Sequence, residues 1–443
     1  MKDFFGDKVL LNTKMALTLY NSVKDLPIID YHCHLDIEKI ASDAGFSDIG
    51  QLWLEGDHYK WRAMRLNGID ERYITGDASW HEKFIKYAQV VPRLIGNPLY
   101  YWTHMELKQI FGISKPLTAE TAEEIYAEAN KKLETLSVQK LLKKFRVEFI
   151  ATTDDPTDSL NFHGKYGETT VTPTFRPDKL YSFSDEYIEA LGKSANVKIE
   201  NIDGLLDALK IRLDYFVKKG CRISDHGFEK FPKAYAEQEE ASELFARRNS
   251  LSSDEKDRLF GFLLVWLAKE YHKRGMIMQI HFAVIRNNNA QMYKECGADS
   301  GFDLIGKEQS VSDLIAFFNQ VKDDERPETV LYTLNDSNLP VISAVTGAFR
   351  HVRMGAAWWF NDTYRGILRN LEVISEYSSL GNNFGMLTDS RSFSSYCRFD
   401  FFRRILCDYV GEKVEKGEYD VNSAKQIVED ICYRNVKNAI ENK

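Results

Sequence analysis

The sequence predicts a mixed α/β fold, in the form of a distorted (β/α)8 TIM barrel with a helical insertion after strand 1. Three observations lead to this prediction. From residue 147 onward, short β-prone runs alternate with helical segments, as in parallel strands joined by crossover helices. With one run near the amino terminus, the strands number eight. Five of them end in polar clusters, and the active site of this barrel lies at the carboxyl ends of its strands.

The first predicted strand is a short apolar run, Ile28–Tyr31, which ends in a His-Cys-His motif. A leading segment, residues 1–24, precedes it and ends in an amphipathic helix. Alternate side chains of an extended chain share a face, so His32 and His34 point the same way and can bind one metal ion. An isolated His-x-His motif is a weak signal, because solvated or capping histidines are common, and a second motif has to support it.

Residues 36–146 contain little that is typical of a buried strand, and they are rich in Trp, Tyr, Lys and Glu. Helical patterning is clear in 119–129 and 131–145. The block is too long for an ordinary loop. We therefore expect a helical insertion subdomain that caps the active site, while residues 1–35 and 147–443 form the catalytic barrel.

Seven further strands complete the predicted barrel. They are expected at Val147–Thr153, Thr170–Phe175, Cys221–Asp225, Ile277–His281, Val330–Leu334, Val352–Trp358 and Phe384–Thr388. Helical segments separate most of them, at 185–218, 229–275, 308–322, 338–349 and 363–378, and residues 392–443 are expected to form the eighth helix and a C-terminal helix. An open doubly wound sheet is the alternative, but no glycine-rich phosphate-binding motif follows any strand, which disfavours its nucleotide-binding form.

The composition excludes several classes of function. A chain of 443 residues with 44% hydrophobic residues suits one large α/β domain with an insertion, or two domains. The net charge is −8 without a Lys/Arg stripe, so no nucleic-acid partner is expected. No apolar run approaches the ~18 residues of a membrane span, and no signal peptide is evident. We therefore expect no membrane partner. Six scattered cysteines without a Cys-x-x-Cys pair fit a reducing compartment, so we expect a cytoplasmic location.

A second motif, Leu387-Thr388-Asp389-Ser390-Arg391, follows an apolar run near the other end of the chain. In a closed barrel the first and eighth strands are neighbours, so Asp389 is expected beside His32 and His34. Two imidazoles and one carboxylate form an ordinary zinc site with an open position. We therefore expect one divalent ion per chain, with zinc as the favoured metal. The alternative for Asp389 is a structural helix cap.

Several stretches along the chain together resemble a known family. They are Asp57-His58-Tyr59-Lys60-Trp61-Arg62, Trp102-Thr103-His104-Met105-Glu106-Leu107, Thr174-Phe175-Arg176-Pro177-Asp178, Ser224-Asp225-His226-Gly227, Gln279-Ile280-His281-Phe282, Trp358-Trp359-Phe360-Asn361-Asp362 and Thr388-Asp389-Ser390-Arg391. With the His-Cys-His motif, they resemble the uronate (glucuronate) isomerases of the amidohydrolase superfamily. The resemblance implies interconversion of D-glucuronate with D-fructuronate, and of D-galacturonate with D-tagaturonate.

Two departures from the wider superfamily favour one metal ion over two. Binuclear hydrolases usually carry a lysine after strand four, where this chain has Asp225-His226, and a histidine after strand six, where it has Leu334-Asn335-Asp336. Both differences are expected of the isomerase branch. The alternative function is a mononuclear metal-dependent hydrolase of a sugar acid or lactone, and a sugar-acid sensor without turnover is a third hypothesis.

Aldose–ketose isomerisation requires a base for the C2 proton, a group that stabilises the enediolate and an acid that returns a proton to C1. We predict Asp389 as the base, which takes the proton directly, with metal ligation as its second role. His58 and Tyr59 lie in the insertion and are predicted to shuttle protons. Arg391 is predicted to stabilise the enediolate.

A uronate also carries a carboxylate, which calls for a cationic partner. The predicted substrate-binding residues are Arg176, Arg391, His281, Asp225, His58, Tyr59 and Trp359. A guanidinium offers a planar fork of donors, so either arginine suits the carboxylate, and structural ion pairing is the alternative. His281 is predicted to contact substrate, with metal ligation left open. One of Trp358 and Trp359 is expected to be plain core, because adjacent strand residues face opposite ways. We expect a homo-oligomer, with the number of subunits left open.

Overall fold

Two parallel sheets form the centre of the structure. This computed structural model describes residues 3–441, so the outermost predicted domain bounds, residues 1 and 443, lie outside the described residues. The strands are β1 (Ile28–Asp30), β2 (Val147–Ala151), β3 (Gly164–Tyr166), β4 (Thr169–Thr172), β5 (Ile223–Gly227), β6 (Ile277–Phe282), β7 (Val284–Ile285), β8 (Leu304–Ile305), β9 (Thr329–Thr333) and β10 (Val352–Met354).

The strand order is β1-β2-β4-β3 in the first sheet and β10-β9-β6-β5 in the second. Strand pairs are parallel except in the β3–β4 hairpin and the separate β7–β8 hairpin. Phe175 lies between the two sheets, because it makes isolated parallel bridges to Asp154 and Ser224. The predicted mixed α/β fold is confirmed. The closed barrel stays a prediction, because the ladders among the described residues form two sheets and no continuous ring.

The prediction of an eighth strand at 384–388 is wrong, since this segment forms no ladder in the described part of the chain. Side-chain oxygens accept hydrogen bonds from two of its backbone amides, which in a sheet would donate to a neighbouring strand. Asn383 Oδ1 accepts from the Gly385 amide at 2.8 Å, and Asp30 Oδ1 accepts from the Thr388 amide at 2.9 Å. Side chains therefore hold this segment in place.

Residues 36–146 form helices and no strand, as the sequence predicts. After α1 (Lys14–Val23), the helices of this block are α2 (Ile37–Ala41), α3 (Ile49–Leu54), α4 (His58–Leu66), α5 (Trp80–Val90), α6 (Pro98–Phe111), α7 (Ala122–Leu133) and α8 (Val138–Lys144). Side-chain caps fix several starts. For example, Ser79 and Glu82 form a reciprocal capping box before α5, which satisfies amides that the helix itself leaves free.

The helices of the remaining chain lie between the strands from β4 to β10 and after β10. They are α9 (Asp185–Ala195), α10 (Ile202–Lys218), α11 (Gln238–Ala246), α12 (Ser253–Lys273), α13 (Ala290–Cys296), α14 (Val311–Gln320), α15 (Leu339–Ala348), α16 (Tyr364–Tyr377), α17 (Cys397–Glu415), α18 (Val421–Glu429) and α19 (Asn435–Ile440). The predicted helical segment 185–218 is two helices, because Asn196 adopts a left-handed conformation (φ 54°) that ends α9.

Residues 284–305, from β7 through α13 to β8, form an excursion between β6 and α14 that the sequence does not predict. It packs on the insertion through two arginines of α4. Arg65 Nη1 donates to the carbonyl of Ser300, and Arg62 Nη1 donates to that of Gly301 at 3.3 Å. These contacts hold the excursion over the carboxyl end of β6.

One buried apolar cluster contains side chains from both sheets. It includes residues of β1, β2, β5, β6 and β9, together with Phe384 and Leu387 from the extended segment. Two larger clusters lie outside it, where the helices pack. Among residues 3–441, no helix combines the length and the apolar character that a membrane span requires.

Candidate active site

The two ends of the chain meet at the centre of the site, as the sequence predicts. Nε2 of His32 and Nε2 of His34 each lie 3.1 Å from Oδ1 of Asp389. Two backbone hydrogen bonds fix this arrangement: the Asp389 amide donates to the His32 carbonyl at 3.1 Å, and the His34 amide donates to the Ser390 carbonyl at 2.9 Å. The Asp30 carboxylate also accepts from the amide of Thr388, one residue before Asp389.

Hydrogen bonding keeps Asp389 ionised. Burial raises the pKa of its carboxyl, but the hydrogen bonds of His32 and His34 and the charge of His32 outweigh burial and hold the pKa well below its usual range. Trp358 Nε1 donates to Oδ2 at 2.9 Å and adds a third donor. Burial lowers the pKa of His34 to about 4, so this imidazole is neutral near pH 7, the form that ligates metals.

Asp225 lies beside these residues, fully buried in the middle of β5. Its Oδ1 is 2.7 Å from Nδ1 of His281, and its Oδ2 is 3.0 Å from Nη1 of Arg176 and 3.8 Å from Nδ1 of His32. Burial raises the pKa of Asp225, but the charges of His281, His32 and Arg176 hold it well below its usual range. The carboxylate therefore lies between two histidines and an arginine, and it is absent from the lining of the cavity.

Two overlapping groups have ligand atoms close enough to hold a metal ion. One is His32, His34 and Asp389, and the other is His32, Asp225 and His281; within each group the ligand atoms lie within 4.8 Å of one another. Among the described residues, Nε2 of His281 is buried without a hydrogen-bond partner. A buried nitrogen without a partner is costly, so it fits a site that receives a metal ion or a polar substrate atom.

A cavity of about 450 Å³ surrounds this centre, within the usual size range of small-molecule sites. The sequence-predicted residues that line it are His32, His34, His58, Tyr59, Arg176, His281, Trp359, Asp389 and Arg391. The structure thus brings together every predicted site residue except Asp225, which lies outside this lining.

The first turn of α4 supplies His58 and Tyr59. Asp57 caps this helix, accepting from the Lys60 amide at 3.0 Å and pairing with Lys60 Nζ at 2.6 Å. The Tyr59 hydroxyl is buried without a hydrogen-bond partner among the described residues, and burial raises its pKa well above the usual range. Burial and the Arg391 charge lower the pKa of His58. The Tyr59 hydroxyl is therefore protonated at neutral pH, and His58 is a neutral imidazole.

Both predicted arginines are paired with carboxylates. Arg176 Nε lies 2.8 Å from Asp178 Oδ2, in addition to its contact with Asp225. Arg391 Nη2 lies 2.9 Å from Asp299 Oδ2. Arg176 is the more buried, with 18% of its side chain exposed against 32% for Arg391.

The expectation that one of the paired tryptophans is plain core is wrong, since both line the cavity. The predicted strand 352–358 ends at Met354, and Trp359 adopts a positive φ of 50°. Strand alternation therefore does not apply to Trp358 and Trp359, and the former reaches Asp389.

Sequence reasoning also missed Arg286, Asp299 and Lys179, which line the cavity. The first two lie on the excursion, and no sequence motif marks them. Gly297 and Gly301, both with positive φ, flank Asp299 and indicate a tight loop, but they do not reveal where that loop packs.

Parallel strands whose carboxyl ends surround a cavity with a His/His/carboxylate centre define an α/β enzyme with a candidate metal site. Residues 1–440 match the family model described as glucuronate isomerase. The chain is 42% identical over 460 residues to the uronate isomerase of Lachnospira eligens, with 98% of each chain covered.

Two solved structures are also similar. The uronate isomerase of Thermotoga maritima superposes with a TM-score of 0.95 at 36% identity, covering 99% of this chain and 100% of that one. The glucuronate isomerase of Caulobacter crescentus gives 0.94 at 26% identity, covering 99% and 97%. The chain therefore belongs to the glucuronate isomerase family, a family of aldose–ketose isomerases, and the resemblance seen in the sequence is confirmed.

Proposed function

We propose that the chain interconverts D-glucuronate with D-fructuronate, and D-galacturonate with D-tagaturonate, by proton transfer through an enediol. The observation that carries this proposal is the ionised carboxylate of Asp389, held in the cavity by His32, His34 and Trp358. A carboxylate fixed in this way is ready to accept the C2 proton of a bound sugar.

Asp389 needs an acid partner, because the hydrogen bonds that keep it ionised also reduce its basicity. Tyr59 supplies one, since its hydroxyl stays protonated at neutral pH and has no competing partner among the described residues. His58, with its ring centroid 4.9 Å from that of Tyr59, relays protons between Tyr59 and the sugar. Arg391, two residues after Asp389, stabilises negative charge on the bound sugar acid.

His32, His34 and Asp389 would hold one divalent ion, with zinc favoured by the ligand types, and His281 Nε2 is a candidate additional ligand. When bound, such an ion polarises oxygen atoms of the substrate. The second ligand group shares His32, and its Asp225 carboxylate already contacts Arg176 and His281, which favours a single ion. Asp225 then acts on the ligands by orienting them.

We expect purified protein to contain one divalent ion per chain, measured by elemental analysis. The His32→Ala/His34→Ala double variant should lose it, because a lone carboxylate binds zinc weakly. His81→Ala is the matched control, since His81 pairs with Glu123 on the surface and should leave occupancy unchanged. Two tightly bound ions per chain, or full occupancy in the double variant, would contradict this ligand set.

A second expectation concerns Tyr59→Phe. Loss of the general acid should lower kcat about a hundredfold, the low end of such effects, with little change in KM. The melting temperature should stay the same or rise, since the variant removes a buried hydroxyl that lacks a partner. Steady-state kinetics and thermal unfolding measure the two effects. Unchanged kcat would remove Tyr59 from the mechanism, and a fall in melting temperature would show that its hydroxyl is structural.

The proposed architecture is a closed, distorted barrel of residues 1–35 and 147–443, capped by the helical insertion of residues 36–146. The buried cluster shared by both sheets supports closure, because inward side chains of a closed barrel pack into one interior. The position of His58 and Tyr59 over the cavity supports the capping role. A homo-oligomer and a cytoplasmic location stay predictions.

Turnover assays on D-glucuronate and D-galacturonate, with and without a chelator, test the proposed function. Ketose formation is the expected result. Hydrolysis of sugar-acid lactones without ketose formation would favour a mononuclear hydrolase instead, and uronate binding without turnover would favour a sensor. Comparison of the two uronates also determines which one is preferred.

A further inference from the structure

The excursion at 284–305 brings two charged side chains into the cavity that the mechanism above does not use. Arg286 follows β7, and Asp299 lies in the loop after α13. Oδ2 of Asp299 accepts from Arg391 Nη2 at 2.9 Å, and its Oδ1 lies 3.6 Å from Arg286 Nη1. One carboxylate therefore bridges two guanidinium groups of the cavity.

This bridge is more easily displaced than the ion pairs of Arg176. Asp225 is fully buried and also contacts His281, so that carboxylate cannot move without leaving a buried charge. Asp299 has 46% of its side chain exposed, and among the described residues its carboxylate contacts only the two arginines. Water can solvate Asp299 when it leaves, so its release costs little.

The two guanidinium groups still need an anion between them. Arg286 keeps a second partner, Asp303 Oδ2 at 3.4 Å, and stacks over Trp359 with its guanidinium carbon 5.6 Å from the ring centroid. Arg391 has no other ion pair among the described residues. Without Asp299, the guanidinium groups of Arg391 and Arg286 would both face the cavity, and only Arg286 would keep a carboxylate partner, Asp303. The site is thus built for one exchangeable carboxylate.

We propose that Asp299 is an internal substitute for the carboxylate of the substrate, and that a bound uronate displaces it from Arg391 and Arg286. This inference rests on the proposed function and names the groups that select an anionic sugar. A neutral sugar offers nothing in exchange for the Asp299 contacts, so it leaves the bridge intact and gains no affinity from the arginines. Arg286 is the second cation of this carboxylate subsite.

Asp299→Asn tests the displacement directly. Asparagine has the same size and tolerates the left-handed backbone at this position (φ 55°), so the loop is preserved. Because the internal competitor is weakened, we expect KM for D-glucuronate to fall about two- to fivefold, the range for the loss of a partly exposed ion pair. Binding of D-glucuronamide, the neutral isostere, should not improve. Arg286→Met should raise KM for D-glucuronate.

Asp214→Asn is the matched control, since Asp214 forms a 2.8 Å ion pair with Arg274 away from the cavity and should leave KM unchanged. An unchanged or raised KM in Asp299→Asn, or an equal gain for glucuronamide, would overturn the proposal. If that variant does not fold, Arg286→Met decides, and an unchanged KM there overturns it. Absence of uronate turnover in the wild type would instead count against the proposed function. In that case, calorimetric titration with D-glucuronate still compares wild type with Asp299→Asn.

Discussion

Asp389→Asn is expected to lower kcat for D-glucuronate by about 10²- to 10⁴-fold, the usual contribution of a general base. The amide cannot accept the C2 proton, although it keeps the size of the carboxylate and tolerates the positive φ of 44° at this position. Trp358 can still donate to the amide oxygen, so the fold should be retained. Steady-state kinetics, with circular dichroism to check folding, measure the effect.

Metal loss could also reduce activity in this variant, so metal content has to be measured in the same preparation. Activity that stays low after metal content is restored identifies the loss of the base. Asp214→Asn again serves as the control for an aspartate-to-asparagine change outside the cavity.

Isotope labelling of the substrate gives an independent test of proton transfer through an enediol. D-Glucuronate carrying deuterium at C2 should lose part of the label to water, because a proton held on a carboxylate exchanges with solvent. Complete retention of label together with an active Asp389→Asn variant would exclude proton transfer by this residue and favour a hydride shift.

Arg176→Met is expected to lower the free energy of unfolding by about 3–5 kcal/mol, the cost of leaving a buried charge without its partner. Asp225 is fully buried, and Arg176 Nη1 at 3.0 Å is its principal fixed positive charge. Chemical denaturation monitored by circular dichroism measures the loss. This loss of stability would hide the effect of Arg176→Met on substrate binding, the role predicted for Arg176 from the sequence.

Arg391→Met is the matched control. Its partner Asp299 is 46% exposed, so water replaces the lost ion pair and the free energy of unfolding should change by less than about 1 kcal/mol. Arg391→Met should instead lower kcat/KM for uronates. Wild-type stability in Arg176→Met with a raised KM would show that Arg176 serves the substrate and that Asp225 is neutralised by its histidines.

Much of the site could be predicted because its signals are local. The i, i+2 spacing of His32 and His34 places both imidazoles on one face of an extended chain, whatever the rest of the fold does. Hydrophobic patterning likewise indicated the parallel strands from 147 to 334 and the helical character of 36–146. The motif after the apolar run at 384–388 then indicated Asp389, and the resemblance to the family added His58 and Tyr59.

What the sequence determined by itself was the parallel strands between residues 28 and 354, the helical insertion and the types of the candidate metal ligands, since these depend on neighbours a few residues apart. Only the tertiary structure decided that Asp225 lies outside the lining of the cavity, that Trp358 reaches Asp389, and that the segment at 384–388 stays outside a ladder. It also decided that Asp299, 92 positions before Arg391, forms an ion pair with that arginine. Such contacts depend on how distant segments pack, and each is chosen by burial and charge compensation that no local pattern encodes.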